Sequence, residues 1–325
     1  MRSSSYTDLP RASPAFDATG RNFHPSTLYF PPPHRRACQR PLFVARLGKA
    51  KRGARVVRFT NFKMILWAVA GVMLLAPNAR AAQCGNASAG FEAWKQEFAA
   101  EARGAGMSGQ AVAALLSTTY ATRTISADRG QKSFHLTLDE FLKKRGASVI
   151  VSRGRKLKRT HAALFRSIEE RYGVPPGPLL AIWGMETGFG ATLGDQKALS
   201  SVATLAFDCR RSAFFTDQLM AALKLVDRGI LSPNSRGSMH GEIGHTQFLP
   251  KNILLYGTGG SLEDPAVALA STANFLKGHG WKAGQGYQPG EPDFAAIQAW
   301  NAATVYQRAL AQMGRQIDLG DSASQ

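Results

Sequence analysis

After residue 88 the apolar positions recur at three- and four-residue spacing, and two-residue alternation is scarce. That pattern predicts helices rather than strands. Phe91, Trp94 and Phe98 mark a first amphipathic helix, and Ser108 opens a second that carries Val112, Leu115 and Leu116. Residues 118–134 are polar and irregular, with an extended piece expected among them. A third helical region begins at 138–142, and 157–172 reads as one longer amphipathic helix closed by Gly173. Further helices are expected over 200–207, 213–226, 252–256, 265–277, 292–300 and 304–317. No repeat of fixed period is present. The fold class that follows is mostly α.

One helix stands apart. Pro175, Pro176 and Pro178 sit where a missing N–H costs little, and Gly188 and Gly190 supply a stop. Between them, Leu179, Ile182, Trp183 and Glu186 fall at i, i+3, i+4 and i+7, a single face. A carboxyl on an apolar face beside Trp183 resists ionisation, which is how a glutamic acid is kept protonated to act as a general acid. The competing reading is a helix-end Glu whose carboxylate reaches solvent.

Composition refines the picture in one respect. The chain has 325 residues, 44% hydrophobic and 19% charged, and a formal charge of +18. Residues 1–81 hold 14 of the 40 Lys+Arg but only 2 of the 22 Asp+Glu, leaving 26 basic against 20 acidic residues in the remainder. The basicity belongs mainly to the N-terminal segment, so a nucleic-acid partner is not indicated.

That segment has its own logic. Residues 1–54, with Pro31-Pro32-Pro33 and no sustained period, read as disordered, or as an over-called extension with the true start near Val56, Val57 or Met64. Residues 55–81 combine Arg55, Arg58 and Lys63, an apolar run from Met64 to Leu75, and Ala79-Arg80-Ala81. This is a secretory signal peptide with cleavage expected after Ala81; an uncleaved anchor helix is the alternative. A periplasmic location and no stable membrane span after cleavage follow. Gln83 before Cys84 does not fit a lipoprotein signal. Cys84 and Cys209 then form an even pair in an oxidising compartment, which predicts a disulfide, with two buried thiols as the alternative.

Three other stretches carry candidate chemistry. Ser238 to Pro250 is rich in glycine and short polar side chains, with Gln247 offering a donor and an acceptor. His240 and His245 in it do not make a metal-binding pattern, and no metal is expected. Trp300, Asn301 and Tyr306 combine an indole, an amide and a phenol, suited either to a sugar or to a core with a capping Asn. Arg210 and Arg211, after Asp208, suit either a substrate carboxylate or a solvated ion pair.

Taken in order, these blocks resemble a known family. Tyr172 to Pro176 with Ala181 to Gly190 is similar to the catalytic signature of the lytic murein transglycosylase B family, glycoside-hydrolase family 103. Ala203 to Arg211 with Phe214-Phe215, Gly241 to Pro250, Asp264-Pro265 through Trp281, and Trp300-Asn301 with Tyr306 resemble its later blocks. Together they run over residues 88–315. The resemblance implies a lysozyme-like catalytic domain with additional helices over 82–317, followed by a polar tail at 318–325. It implies that Glu186 is the single catalytic carboxyl, and that Arg210, Arg211, Ser238, Gln247, Phe248, Asn301 and Tyr306 line or support the groove. Three positions depart from the family pattern: Glu242 where a small residue is common, Trp300 where Tyr is frequent, and Ser133 where Glu is frequent.

The implied reaction is cleavage of the MurNAc-β-1,4-GlcNAc bond of peptidoglycan with formation of 1,6-anhydromuramoyl ends. Glycosidases generally use two carboxyls, whereas this chemistry needs one, helped by the substrate's N-acetyl group and without cofactor. The partner is a peptidoglycan glycan strand, and the chain is expected to act as a monomer. The rivals are a hydrolytic muramidase with Glu242 or Asp208 as second carboxyl, and a non-catalytic peptidoglycan-binding scaffold.

Overall fold

The computed structural model describes residues 82–130 and 136–320. The expected signal peptide at 55–81, the stretch before it, the segment holding Ser133 and residues 321–325 lie outside the described residues. Within them the chain forms thirteen α-helices and a two-stranded ribbon.

The structure is built around α7 (Pro176–Thr187). Pro175 holds extended backbone, a proline occupies the first turn, and Gly188 at φ 58° ends the helix by returning its N–H to Gly184 O at 3.1 Å. All twelve residues of α7 are buried. Leu179, Ile182, Trp183 and Glu186 share one face of it, as their spacing predicts, and α7 is enclosed on its other sides too, as a helix apolar all round must be.

Its closest companion is α13 (Thr304–Leu319). The two helices meet at glycines. A Cβ on Gly177 would lie 2.2 Å from Gly314 O, and one on Gly314 would lie 3.1 Å from Pro178 N. Backbone contact this close excludes any side chain at Gly177. Glu186, nine residues beyond Gly177, meets Tyr306, eight before Gly314, so the helices run antiparallel. At 1.5 Å per residue those steps are about 13 Å and 12 Å, which brings the two side chains to the same level.

The helices α4 (Leu138–Arg145), α5 (Ala147–Thr160), α6 (Ala162–Tyr172), α10 (Pro250–Tyr256), α11 (Pro265–Gly278) and α12 (Phe294–Trp300) close one apolar core around α7 and α13. The helix expected over 157–172 is in fact two, broken at His161, whose φ of −115° and ψ of 32° leave the helical region. A second core joins α1 (Phe91–Gly104), α2 (Gly109–Leu116), α8 (Ala198–Phe207) and α9 (Ser212–Asp227) around Phe91, Trp94 and Phe207. Of the stretch 118–134, in which an extended piece is expected, residues 118–130 are described, and they form α3 (Thr122–Arg129). Tertiary bonds override its weak propensity: Ala121 N–H donates to Thr204 Oγ1 at 2.9 Å, and Thr124 Oγ1 to Ser201 Oγ at 3.0 Å.

Strand β1 (Gln196–Lys197) pairs antiparallel with β2 (Arg236–Gly237), Gln196 opposite Gly237. Cys84 and Cys209 are joined, their Cα atoms 4.9 Å apart across a sequence separation of 125. At the other end, α13, expected over 304–317, runs to Leu319. Asp318 belongs to the last turn of α13, accepting the Gly177 N–H at 2.8 Å and the Tyr287 hydroxyl at 2.6 Å. No helix of the described residues is long and apolar enough to cross a membrane.

Candidate active site

Glu186 sits in the last turn of α7 with 4% of its surface exposed. The Tyr306 hydroxyl of α13 donates a hydrogen bond to its Oε1. Burial drives the Glu186 pKa upward, and the Tyr306 bond, the Arg145 charge and the Trp300 indole oppose that rise without cancelling it. The Trp300 N–H is buried without completing a hydrogen bond, so its influence on the carboxyl is that of a nearby dipole. The arrangement keeps a carboxylic acid protonated above the ordinary carboxyl range while leaving one donor ready for the carboxylate. That is the requirement of a group that gives up a proton and takes it back.

Burial in apolar surroundings is the first cause of the shift, as the setting of Glu186 in α7 predicts. Trp183 beside it has a polar tie of its own: its Nε1 donates to His245 Nδ1 at 2.9 Å and its ring meets Phe189 edge-on. His245 Nε2 in turn lies 3.1 Å from Glu263 O, so both ring nitrogens are engaged and burial lowers the His245 pKa. Thr187 Oγ1 donates to His245 O at 2.7 Å, which ties the end of α7 to the loop 238–249.

That loop is internally bonded. Ser238 is buried, and its Oγ donates to Glu242 Oε2 at 2.6 Å. Gln247, at φ 54°, donates its Nε2 to Gly244 O at 2.8 Å and to Leu193 O at 3.3 Å. A Cβ on Gly241 would meet Val202 Cγ2 at 2.4 Å, and one on Gly244 would meet Leu262 Cβ at 2.4 Å. Their role is packing against the protein. Phe248 is core, with Trp300 and Phe275 edge-on to its ring at centroid distances of 5.4 and 6.2 Å.

Asn301 follows α12 and uses Oδ1 to accept the Ala303 N–H at 2.9 Å, while its own carbonyl accepts Gln307 Nε2 at 2.7 Å. This shapes the entry to α13 and hence the position of Tyr306. Arg210 and Arg211 are held by acids: Arg211 Nη1 donates to Asp128 Oδ1 at 2.6 Å, and Arg210 bonds both Asp128 and Asp208. Burial pushes Asp208 up, but the Arg210 bonds and charge, with Arg129, outweigh it and hold it below its usual value. Asp208 is thus an ionised partner in a cationic cluster. The carboxyl that feels the charge of Glu186 is Glu242.

Arg145 entered no sequence reading, although it stands in the last turn of α4 and acts on Glu186. A basic helix end carries no mark of which distant carboxyl it will face.

The family model for the transglycosylase SLT domain matches residues 90–290, a span that includes α7 and the 238–249 loop. The chain belongs to this family. The chain is 35% identical to the membrane-bound lytic murein transglycosylase B of Escherichia coli strain K12 over 137 residues. That alignment spans 38% of this chain and 38% of the relative's length. Its architecture is similar to that of SltB3 from Pseudomonas aeruginosa, solved in complex with NAG-NAM-pentapeptide, at a TM-score of 0.65 and 25% identity, covering 71% of this chain and 80% of that one. Lytic transglycosylase SLT35 of Escherichia coli, solved with bulgecin A, shares the fold at a TM-score of 0.61 and 23% identity, covering 73% and 96%. The fold is the lysozyme-like helical one of these enzymes.

Proposed function

We propose that this SLT domain is a peptidoglycan lytic transglycosylase that cleaves the MurNAc-β-1,4-GlcNAc bond and leaves 1,6-anhydromuramoyl ends. The observation that carries the reading is the buried Glu186 carboxyl, raised in pKa and bonded by Tyr306. Glu186 protonates the leaving glycosidic oxygen as the bond to C1 breaks. The substrate's N-acetyl oxygen stabilises the charge that develops at C1. Glu186, now a carboxylate held by Tyr306, takes the proton of the muramoyl C6 hydroxyl, whose oxygen closes the ring at C1. The SltB3 complexes with NAG-NAM-pentapeptide and NAG-anhNAM-pentapeptide support a glycan substrate of this chemistry.

The hydrolytic muramidase keeps one observation in its favour, a second carboxyl, Glu242, electrostatically coupled to Glu186. Mass spectrometry of digested sacculi separates the two: anhydro ends support the transglycosylase, reducing ends the muramidase. Glu186→Gln keeps shape and removes the transferable proton, so turnover falls by about 10²–10⁴-fold or more with folding retained. Near-normal turnover of that variant removes both readings. Export to the periplasm with cleavage after Ala81, and action as a monomer, belong to the same proposal; the Cys84–Cys209 bond is consistent with an oxidising compartment.

A further inference from the structure

Glu242 is a carboxyl that the mechanism above leaves idle. It is fully buried. Ser238 Oγ accepts the backbone N–H of His240 at 3.1 Å and that of Glu242 at 3.1 Å. With both lone pairs filled, its single O–H is committed to Glu242 Oε2 at 2.6 Å. Oε2 therefore acts as an acceptor, and a proton on this carboxyl belongs to Oε1. Oε1 is buried and has no hydrogen-bond partner in the protein. An idle buried O–H is costly unless a ligand supplies its acceptor.

We propose that Glu242 is a substrate-orienting residue: as a neutral acid it offers its Oε1–H to an uncharged acceptor oxygen of the bound glycan. This rests on the glycan reading above and adds a second protein contact to it. Its protonation is supported by the surroundings. Glu242 is pushed up to about 8 on balance: burial is the largest cause, the Ser238 bond opposes it, the Glu186 charge on α7 adds to it, and the Arg211 charge before α9 lowers it. His240, 3.8 Å from Asp128, and His245 lie on the same loop, and Tyr306 faces the site from α13. Burial holds His245 below its usual range and Tyr306 well above its own, so neither titrates with Glu242.

The test is equilibrium binding of a MurNAc-GlcNAc tetrasaccharide to the Glu186→Gln protein, which cannot turn it over. Adding Glu242→Leu weakens binding roughly tenfold, the size of one hydrogen bond. Adding Glu242→Gln leaves it within about twofold, because the amide presents its oxygen to Ser238 and its N–H to the glycan. Binding by the Glu186→Gln protein weakens as pH rises through the ionisation of Glu242, and binding by its Glu242→Gln form does not. Unchanged affinity with Leu, or identical pH dependence of the Glu and Gln forms, overturns the proposal and leaves the glycan reading intact. Absence of any binding by a folded Glu186→Gln protein defeats the glycan reading itself. If the Leu form does not fold, the pH comparison decides alone.

Discussion

Tyr306→Phe isolates one hydroxyl. The ring stays, with Phe141 edge-on to it at 6.4 Å, and the donor to Glu186 Oε1 goes. A hydrogen bond to a charged group contributes about 1.5–3 kcal/mol, and one between neutral groups about 0.5–1.5 kcal/mol. The Tyr306 bond therefore favours the Glu186 carboxylate over the acid by roughly 1–1.5 kcal/mol, about one pKa unit. Its removal raises a pKa that burial has already raised. The sign for stability follows from linkage. A carboxyl whose folded pKa lies above its unfolded value contributes stability in full below the unfolded pKa, about 4.3 for Glu. It loses that contribution as pH rises toward and through the folded value. In Tyr306→Phe the loss runs on to higher pH. The destabilisation relative to the parent is thus about 0.5–1.5 kcal/mol in acid and grows by roughly 1 kcal/mol toward alkaline pH. Urea melts across that range measure the first effect, and the pH profile of kcat/KM on sacculi the second, with its alkaline limb moved upward. A stability difference that does not vary with pH, together with an unmoved limb, would refute the coupling of Tyr306 to Glu186.

Three further outcomes follow from the same contacts. Asn301→Ala deletes the acceptor of the Ala303 N–H; we expect a loss of about 0.5–2 kcal/mol in melts, and a kcat reduced more than that loss explains would show that the amide also meets substrate. Cys84→Ser opens a cross-link of 125 residues, worth about 4–5 kcal/mol in the ideal chain-entropy limit; equal urea midpoints for the variant and the oxidised parent would contradict it. Gly177→Ala places a Cβ 2.2 Å from Gly314 O and is expected to cost about 1–3 kcal/mol or more, read as a fall in Tm.

Local signals carried α7 well. The prolines and Gly188 marked both ends because they act through backbone geometry, which is a property of the residue itself. The enclosure of α7 on all sides does not show in its pattern, because a buried helix has no solvent side for a pattern to reveal. α3 escaped notice since its Thr-rich sequence is weakly helical, and its support comes from Thr204 and Ser201 on another helix. The partition at His161 has no breaker residue to announce it. In the site, Glu186 was visible through its apolar neighbours, whereas its bond to Tyr306 spans 120 residues and could be anticipated only through family resemblance. The cluster joining Asp128, Asp208, Arg210 and Arg211 shows the same limit, because a pair of arginines in sequence does not say which acids will claim it.

The glycine contact between α7 and α13 has a consequence for how this domain can vary. Acid and hydroxyl are each counted off along a rigid helix from the Gly177–Gly314 crossing. One residue inserted between Gly177 and Glu186, or between Tyr306 and Gly314, shifts a side chain by about 1.5 Å and turns it by about 100°, which parts the pair. A residue inserted in the turn around Gly284, where an added Cβ meets nothing within 4 Å, leaves both counts intact. The expectation for relatives is that length varies in such turns while the spacings from 177 to 186 and from 306 to 314 stay constant.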